Sequence, residues 1–218
     1  MPRRDIRERA CETSLRPSWI LDRSAGKQHG RVRLGKVYNH TYRELQSLDF
    51  GFKKSAHFRG MRILKLEDIL STFSQHVIMN IHMKDRGGAW DEDLAKKVIR
   101  LIDAYDARRH VYFMTSNGAL QDQLARLAPD IPRCMGNSGD NTKHPDIVDN
   151  AIRHKCRMVQ LFKPYFDQAL VDRAKAAGLR VNVFWSDEPN EAKRFLEMGI
   201  DTILTNDYQP VSHETGLK

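Results

Sequence analysis

Residues 80–84 read Asn-Ile-His-Met-Lys and close a run of apolar and β-branched residues that begins at Val77 and has the length of a strand. Successive side chains of a strand point to opposite faces, so Asn80, His82 and Lys84 share one face. A lysine two residues beyond an inward polar residue suits contact with a phosphate; the plainer reading is a solvated lysine at a strand end. For His82 the plain reading is a hydrogen-bonded strand histidine. Phe184 and Trp185 end another strand-like run, where adjacent rings either wall a pocket or pack in a core. Asn206 follows the last such run, in a place where a cap or turn is the ordinary role.

Other catalytic signatures fail on their spacing. Gly136-Asn-Ser-Gly-Asp140 lacks the GxSxG interval of a nucleophile elbow, no GxxxxGK[ST] phosphate loop occurs, and no two histidines stand at the HExxH interval. The strand around His82 runs into Met83-Lys-Asp-Arg-Gly-Gly88 without the GxGxxG of a dinucleotide fold.

The elements that must position these residues alternate. Strand-like runs occur at Val77–Met83, His110–Thr115, Ile131–Met135, Met158–Phe162, Arg180–Trp185 and Thr202–Thr205. Helical spacing of apolar residues fills the intervals: Asp91–Tyr105, Asn117–Leu127, His144–His154, Asp167–Ala177 and Pro189–Met198, with a further helix at Leu66–Phe73 ahead of the first strand. Gly178 and Gly199 follow two of these helices, where a left-handed cap is needed. Six strands with intervening helices predict parallel pairing through right-handed crossovers. Without a Gly-rich first turn, the expected fold class is an α/β, TIM-type (β/α) barrel in which about six of eight units are recognisable, two being missing or disguised in residues 1–65.

A chain of 218 residues, 40% hydrophobic and 29% charged, is long enough for one full core, and its apolar runs are too short to span a membrane. Its net charge of +8 is unevenly placed: residues 1–36 hold ten basic and four acidic side chains, the remaining 182 hold 26 and 24. Residues 1–36 therefore read as a basic, poorly ordered arm whose removal leaves the thermal transition nearly unchanged; a nucleic-acid or membrane-surface contact is its alternative role. Residues 37–210 form the body and 211–218 a tail. Cys11, Cys134 and Cys156 are odd in number and widely spaced, which implies neither a disulfide framework nor a metal knuckle, and reads as reduced thiols in a cytoplasm.

Three stretches together carry a family resemblance: Thr41-Tyr-Arg-Glu-Leu-Gln-Ser-Leu-Asp-Phe-Gly51, then Gly60-Met-Arg-Ile-Leu-Lys-Leu-Glu-Asp-Ile-Leu70, then Asn80-Ile-His-Met-Lys84. In this order they resemble the "tLeELkaLDaG", "iPtLeEvL" and "NIEIK" segments of the glycerophosphodiester phosphodiesterases. Gly178–Pro189 and Met198–Asn206 are similar to that family's last strand, helix and strand. The resemblance implies a TIM barrel and metal-dependent hydrolysis of a glycerophosphodiester to glycerol 3-phosphate and an alcohol, a reaction of lipid metabolism. Such chemistry needs a divalent cation, Mg²⁺ or Ca²⁺, a cationic side chain on the phosphate, and a general acid and base.

Carried over residue by residue, the resemblance makes Lys84 the phosphate lysine and puts His82 where the family has a glutamate metal ligand. A neutral imidazole ligates cations but carries no charge, so a hard cation is held less well. Phe184, with Trp185 beside it, takes the place of an aromatic that walls the glycerol end of the pocket. The family's "HRG" and "E-x-D" have no counterparts, and its "HD…LDR" survives only as Leu21-Asp-Arg23, with Pro17 and Ser18 at the histidine and aspartate positions. His57-Phe-Arg-Gly60 is a decoy, since it falls where members have a loop. The expectation is a phosphodiesterase-family protein that takes a small phosphodiester or phosphorylated ligand, with turnover at or near background. The alternative is a non-catalytic barrel remnant; nucleic-acid binding would rest on the arm's charge alone.

Overall fold

The computed structural model describes residues 20–21, 34–35, 40–51, 55–84, 91–136 and 146–216, the first four through their backbone alone. The chain divides into two compact units, residues 1–77 with 84–110, and residues 78–83 with 111–218. The arm expected at residues 1–36 falls almost wholly outside the described residues.

In the first unit, β1 (Ile20–Leu21) and β2 (Leu34–Gly35) pair antiparallel. The helix α1 (Tyr42–Gln46) begins with a capping box: Thr41 Oγ1 accepts from Glu44 N at 3.3 Å, and the Glu44 carboxylate accepts from Thr41 N at 2.8 Å. Leu45 and Leu48 pack with Ile63 into a small core. The amphipathic α2 (Leu66–Phe73) buries Leu70, and α3 (Glu92–Ala104) is capped by Asp91, whose side chain accepts from Asp93 N at 2.9 Å.

The second unit holds the sheet. Its six strands are β3 (Met79–His82), β4 (Val111–Thr115), β5 (Arg133–Met135), β6 (Met158–Phe162), β7 (Arg180–Phe184) and β8 (Thr202–Leu204). They lie in sequence order and every neighbouring pair is parallel, so the six predicted strands stand as expected, trimmed at their ends. The result is a partial barrel, an incomplete TIM-type fold. The two further strands of a full barrel are not found in this sheet among the described residues.

Alternation along the strands separates two faces. Val159, Leu161, Val181 and Val183 point to the helical side, where they meet residues of α5 (Ile147–Arg153), α6 (Gln168–Ala176) and α7 (Pro189–Glu197), including Val148, Ala151, Val171, Ala174 and Phe195. The helix α4 (Gly118–Leu127) buries Leu120 and Leu124. Asn117 and Asp167 cap α4 and α6 through the backbone N–H groups of Leu120 and Leu170, at 3.1 and 2.9 Å. Gly178 and Gly199 adopt φ of 74° and 94°, the left-handed turns their positions predict. The last helix, α8 (Tyr208–Thr215), buries Val211.

The opposite face is polar at mid-height. Asn80, Tyr112, Gln160 and Asn182 lie on it, with Asn80 beside Tyr112 and Gln160 beside Asn182 in the strand register. Burial, followed by the neighbouring Cys134 thiol, pushes the Tyr112 phenol up to about 12, against a smaller opposing pull from the Asn182 side chain. Burial likewise raises Cys134, and Cys156 to about 11, so both thiols stay protonated at neutral pH.

Candidate active-site cleft

Parallel strands deliver their C-terminal ends to one rim, which in a β/α barrel is where loops form a site. At this rim β6 and β7 end in aromatic residues and β8 ends in Leu204, each followed by a short turn. Phe162 and Phe184 are register partners on neighbouring strands, and their rings stack with centroids 5.4 Å apart. Trp185 meets Phe184 and Phe162 edge-on at 5.1 and 6.1 Å, and Tyr165 stacks on Phe162 at 6.3 Å. Beside them opens a cleft of ≈ 540 Å³ lined by Phe184, Trp185, Ile203, Leu204, Thr205, Asn206 and Tyr208.

Two carboxylates lie behind the lining residues, both engaged within the protein. Asp187 accepts from Asn206 N at 2.6 Å, from Asn206 Nδ2 at 3.0 Å and from Thr205 Oγ1 at 3.0 Å, clamping the turn after β8 to the turn after β7. Hydrogen bonds from Asn206 foremost, then from Thr205 and the Trp185 side chain, hold its carboxyl below the ordinary value. Glu191, on the first turn of α7, accepts from Lys163 Nζ at 2.5 Å and from Ser186 Oγ. Burial works to raise its carboxyl, but the hydrogen bonds from Lys163 and Ser186 and the charge of Lys163 outweigh it, and the group titrates below its usual range. Lys163 also lies over the Trp185 ring, 5.7 Å from its centroid. Ser186 is fully buried, so its hydroxyl orients Glu191 and does not face a ligand.

The four residues marked by sequence fall into separate places. Phe184 and Trp185 are together in the cleft, Phe184 37% exposed. His82 is exposed at the C-terminal end of β3, with three strands between it and β7 in the sheet. Lys84, two residues past His82, is exposed and belongs to the other compact unit. His57 and Phe58 lie in an exposed 3₁₀ turn. Asn206 serves the turn, as its position predicts. Sequence reasoning passed over Lys163, Ser186, Asp187 and Glu191. Ser-Asp-Glu-Pro at 186–189 reads as an ordinary helix start with proline in the first turn, and hides the clamp.

A divalent cation needs several hard oxygen ligands converging on one point. Among the described residues no three His, Cys, Asp or Glu side chains come together in this way. His82 offers a single soft nitrogen, and Asp187 and Glu191 are occupied by Asn206, Thr205, Lys163 and Ser186. The described residues do not fit the cation.

The model of the glycerophosphoryl diester phosphodiesterase family matches residues 19–209. The chain belongs to this family. An Oleispira antarctica phosphodiesterase, solved with the product sn-glycerol-3-phosphate, superposes with a TM-score of 0.73 at 20% identity, over 84% of this chain and 74% of the other. A glycerophosphodiester phosphodiesterase from Agrobacterium tumefaciens str. C58 gives 0.62 at 20% identity over 84% and 74%, and one from Thermotoga maritima gives 0.59 at 15% over 85% and 73%. No curated protein matches the chain. At these identities the solved structures speak for the fold, a barrel of which this chain carries six parallel strands. No helix among the described residues is long and apolar enough to cross a membrane.

Proposed function

We propose that this family member binds a small phosphodiester or its glycerol phosphate product at the C-terminal rim of the barrel and hydrolyses it at or near background. The observation that carries this reading is the engagement of both rim carboxylates. Asp187 holds two turns together and Glu191 neutralises Lys163, so neither is free to hold a cation or to move a proton. General acid and base catalysis each contribute roughly 10²–10⁴ in rate, and a cation several kcal/mol of further charge stabilisation. Without those groups turnover falls below detection, while the aromatic cleft still covers an alcohol or glycerol moiety through Phe184 and Trp185. Lys84 supplies the phosphate contact and His82 a weak nitrogen ligand in this proposal, both roles taken from the family pattern.

The test pairs an activity assay with a binding assay on the full chain. Glycerophosphocholine incubated with Mg²⁺ or Ca²⁺ is expected to yield no glycerol 3-phosphate above the blank. Calorimetric titration with sn-glycerol 3-phosphate is expected to show binding that weakens in Trp185→Ala and in Lys84→Gln. Robust turnover that survives His82→Ala would overturn the proposal and place an acid and base among residues 1–65.

A further inference from the structure

The positive charge of the body is concentrated in one short segment. Residues 37–218 hold 26 basic and 24 acidic side chains; within them, residues 55–65 hold Arg59, Arg62 and Lys65 and no acid, leaving the other 171 residues with 23 basic and 24 acidic. The same segment exposes large apolar side chains. Phe58 is 40% exposed, Met61 53% and Leu64 56%.

This exposure is built in. The Asp49 carboxylate accepts from Gly51 N at 3.0 Å and from Gly60 N at 2.8 Å, and Phe50 N donates to Met61 O at 2.9 Å. Gly60 takes a φ of 89°, open to glycine, and a Cβ on Gly51 would stand 1.7 Å from Phe58 O, so the loop closes on itself only with glycine at both places. Arg62 Nη1 donates to Leu48 O at 2.9 Å, and Ile63 turns inward onto Leu45 and Leu48. Of the neighbouring acids, Asp49 lies inside this frame and two more sit at the start of α2. There Asp68 accepts from Lys65 N at 2.9 Å and Glu67 Oε1 is buried. The frame thus turns Ile63 in and holds Phe58, Met61 and Leu64 out, interleaved with cations.

We propose that this loop docks the protein on an anionic lipid surface. Its apolar side chains enter the boundary between headgroups and acyl chains, while Arg59, Arg62 and Lys65 meet the lipid phosphates. Lipid is favoured over nucleic acid because Met61 and Leu64 are aliphatic: stacking on bases would use rings, and phosphate contacts alone would need no exposed methionine or leucine. The proposal is independent of the rim cleft.

Cosedimentation of the full chain with phosphatidylcholine vesicles, with and without phosphatidylglycerol, tests it. Binding is expected only to the anionic vesicles and to weaken with added salt. Met61→Ser with Leu64→Ser is expected to reduce affinity about tenfold or more, and Arg59→Gln about fivefold. Ile152→Ser, which removes an equally exposed apolar side chain from α5, is expected to change nothing. If the double variant shifts the thermal transition, Leu64→Ala alone gives the same reading. Four results overturn the proposal: no vesicle binding, equal binding to neutral vesicles, tight binding to single-stranded RNA in place of vesicles, or unchanged binding in the loop variants with loss in Arg3→Gln/Arg4→Gln/Arg7→Gln.

Discussion

Arg133 shows how a single buried residue can set local geometry without being a site. It is 8% exposed on β5, and its guanidinium donates to three carbonyls, Gln121 O at 3.0 Å, His154 O at 2.8 Å and Lys155 O at 2.9 Å. No carboxylate takes part in these bonds; the cation closes the end of α5 by satisfying the His154 and Lys155 carbonyls that follow it, and ties that end to Gln121 inside α4. Arg133→Met keeps the aliphatic stem and strands the His154 and Lys155 acceptors, each worth about 1–3 kcal/mol when buried. We expect a loss of about 3 kcal/mol or more in urea unfolding; a loss under about 1 kcal/mol would show that water replaces the guanidinium. The rim carboxylates give a pH-dependent counterpart. Both are depressed in the folded chain from ordinary values of 3.8 for Asp187 and 4.5 for Glu191. Their stabilisation is therefore complete above those values and disappears as the pH falls through the lower folded ones. The melting temperature of the wild type should drop below about pH 4.5, and Glu191→Gln should flatten that drop while lowering the neutral-pH value. A variant that keeps the full acid slope would exclude Glu191 as a contributor.

Helix boundaries followed from caps and periodicity, which act locally and are legible. Asn117, Asp167, Gly178 and Gly199 sit where the sequence asks for caps, and the helices end within a few residues of expectation. Strand ends were longer in the sequence than in the sheet, because Val77 and Trp185 are apolar without a ladder partner: Val77 is 47% exposed and Trp185 turns into the cleft. The clamp at the rim was not legible, since Asp187 and Asn206 are 19 residues apart and meet only because β7 and β8 pair in parallel. At this scale Asp167→Ala removes the bond to Leu170 N and should cost about 1 kcal/mol, a fall of roughly 2–4 °C in a domain of this size. Gln168→Ala, one position inside the same helix, removes hydrogen bonds to Asp172 and Met198 O and leaves the cap in place, and serves as the comparison. Equal losses from the two would count against capping as the source.

Across the whole barrel the two sheet faces obey different rules, which explains what the strand patterns could and could not reveal. The helical face is an apolar core of Val159, Leu161, Val181 and Val183, each under 2% exposed, and near-continuous apolar runs announced it. The opposite face puts Asn80, Gln160 and Asn182 in a row of amides that reads, in sequence, like surface polarity. Yet Gln160 is 6% exposed and Asn182 0%, and Asn80 Oδ1, Gln160 Oε1 and both polar atoms of Asn182 lack a well-formed partner among the described residues. A buried polar group in this condition destabilises, whereas an apolar group of the same shape is close to neutral or better. Asn182→Leu should therefore leave the urea midpoint unchanged or raise it. Leu161→Ala, on the other face, should lower stability by about 2–5 kcal/mol through lost burial and a cavity. Measured together they separate the faces: a loss in Asn182→Leu approaching that of Leu161→Ala would mean that the amide row is satisfied by ordered water and holds the interior of the barrel together.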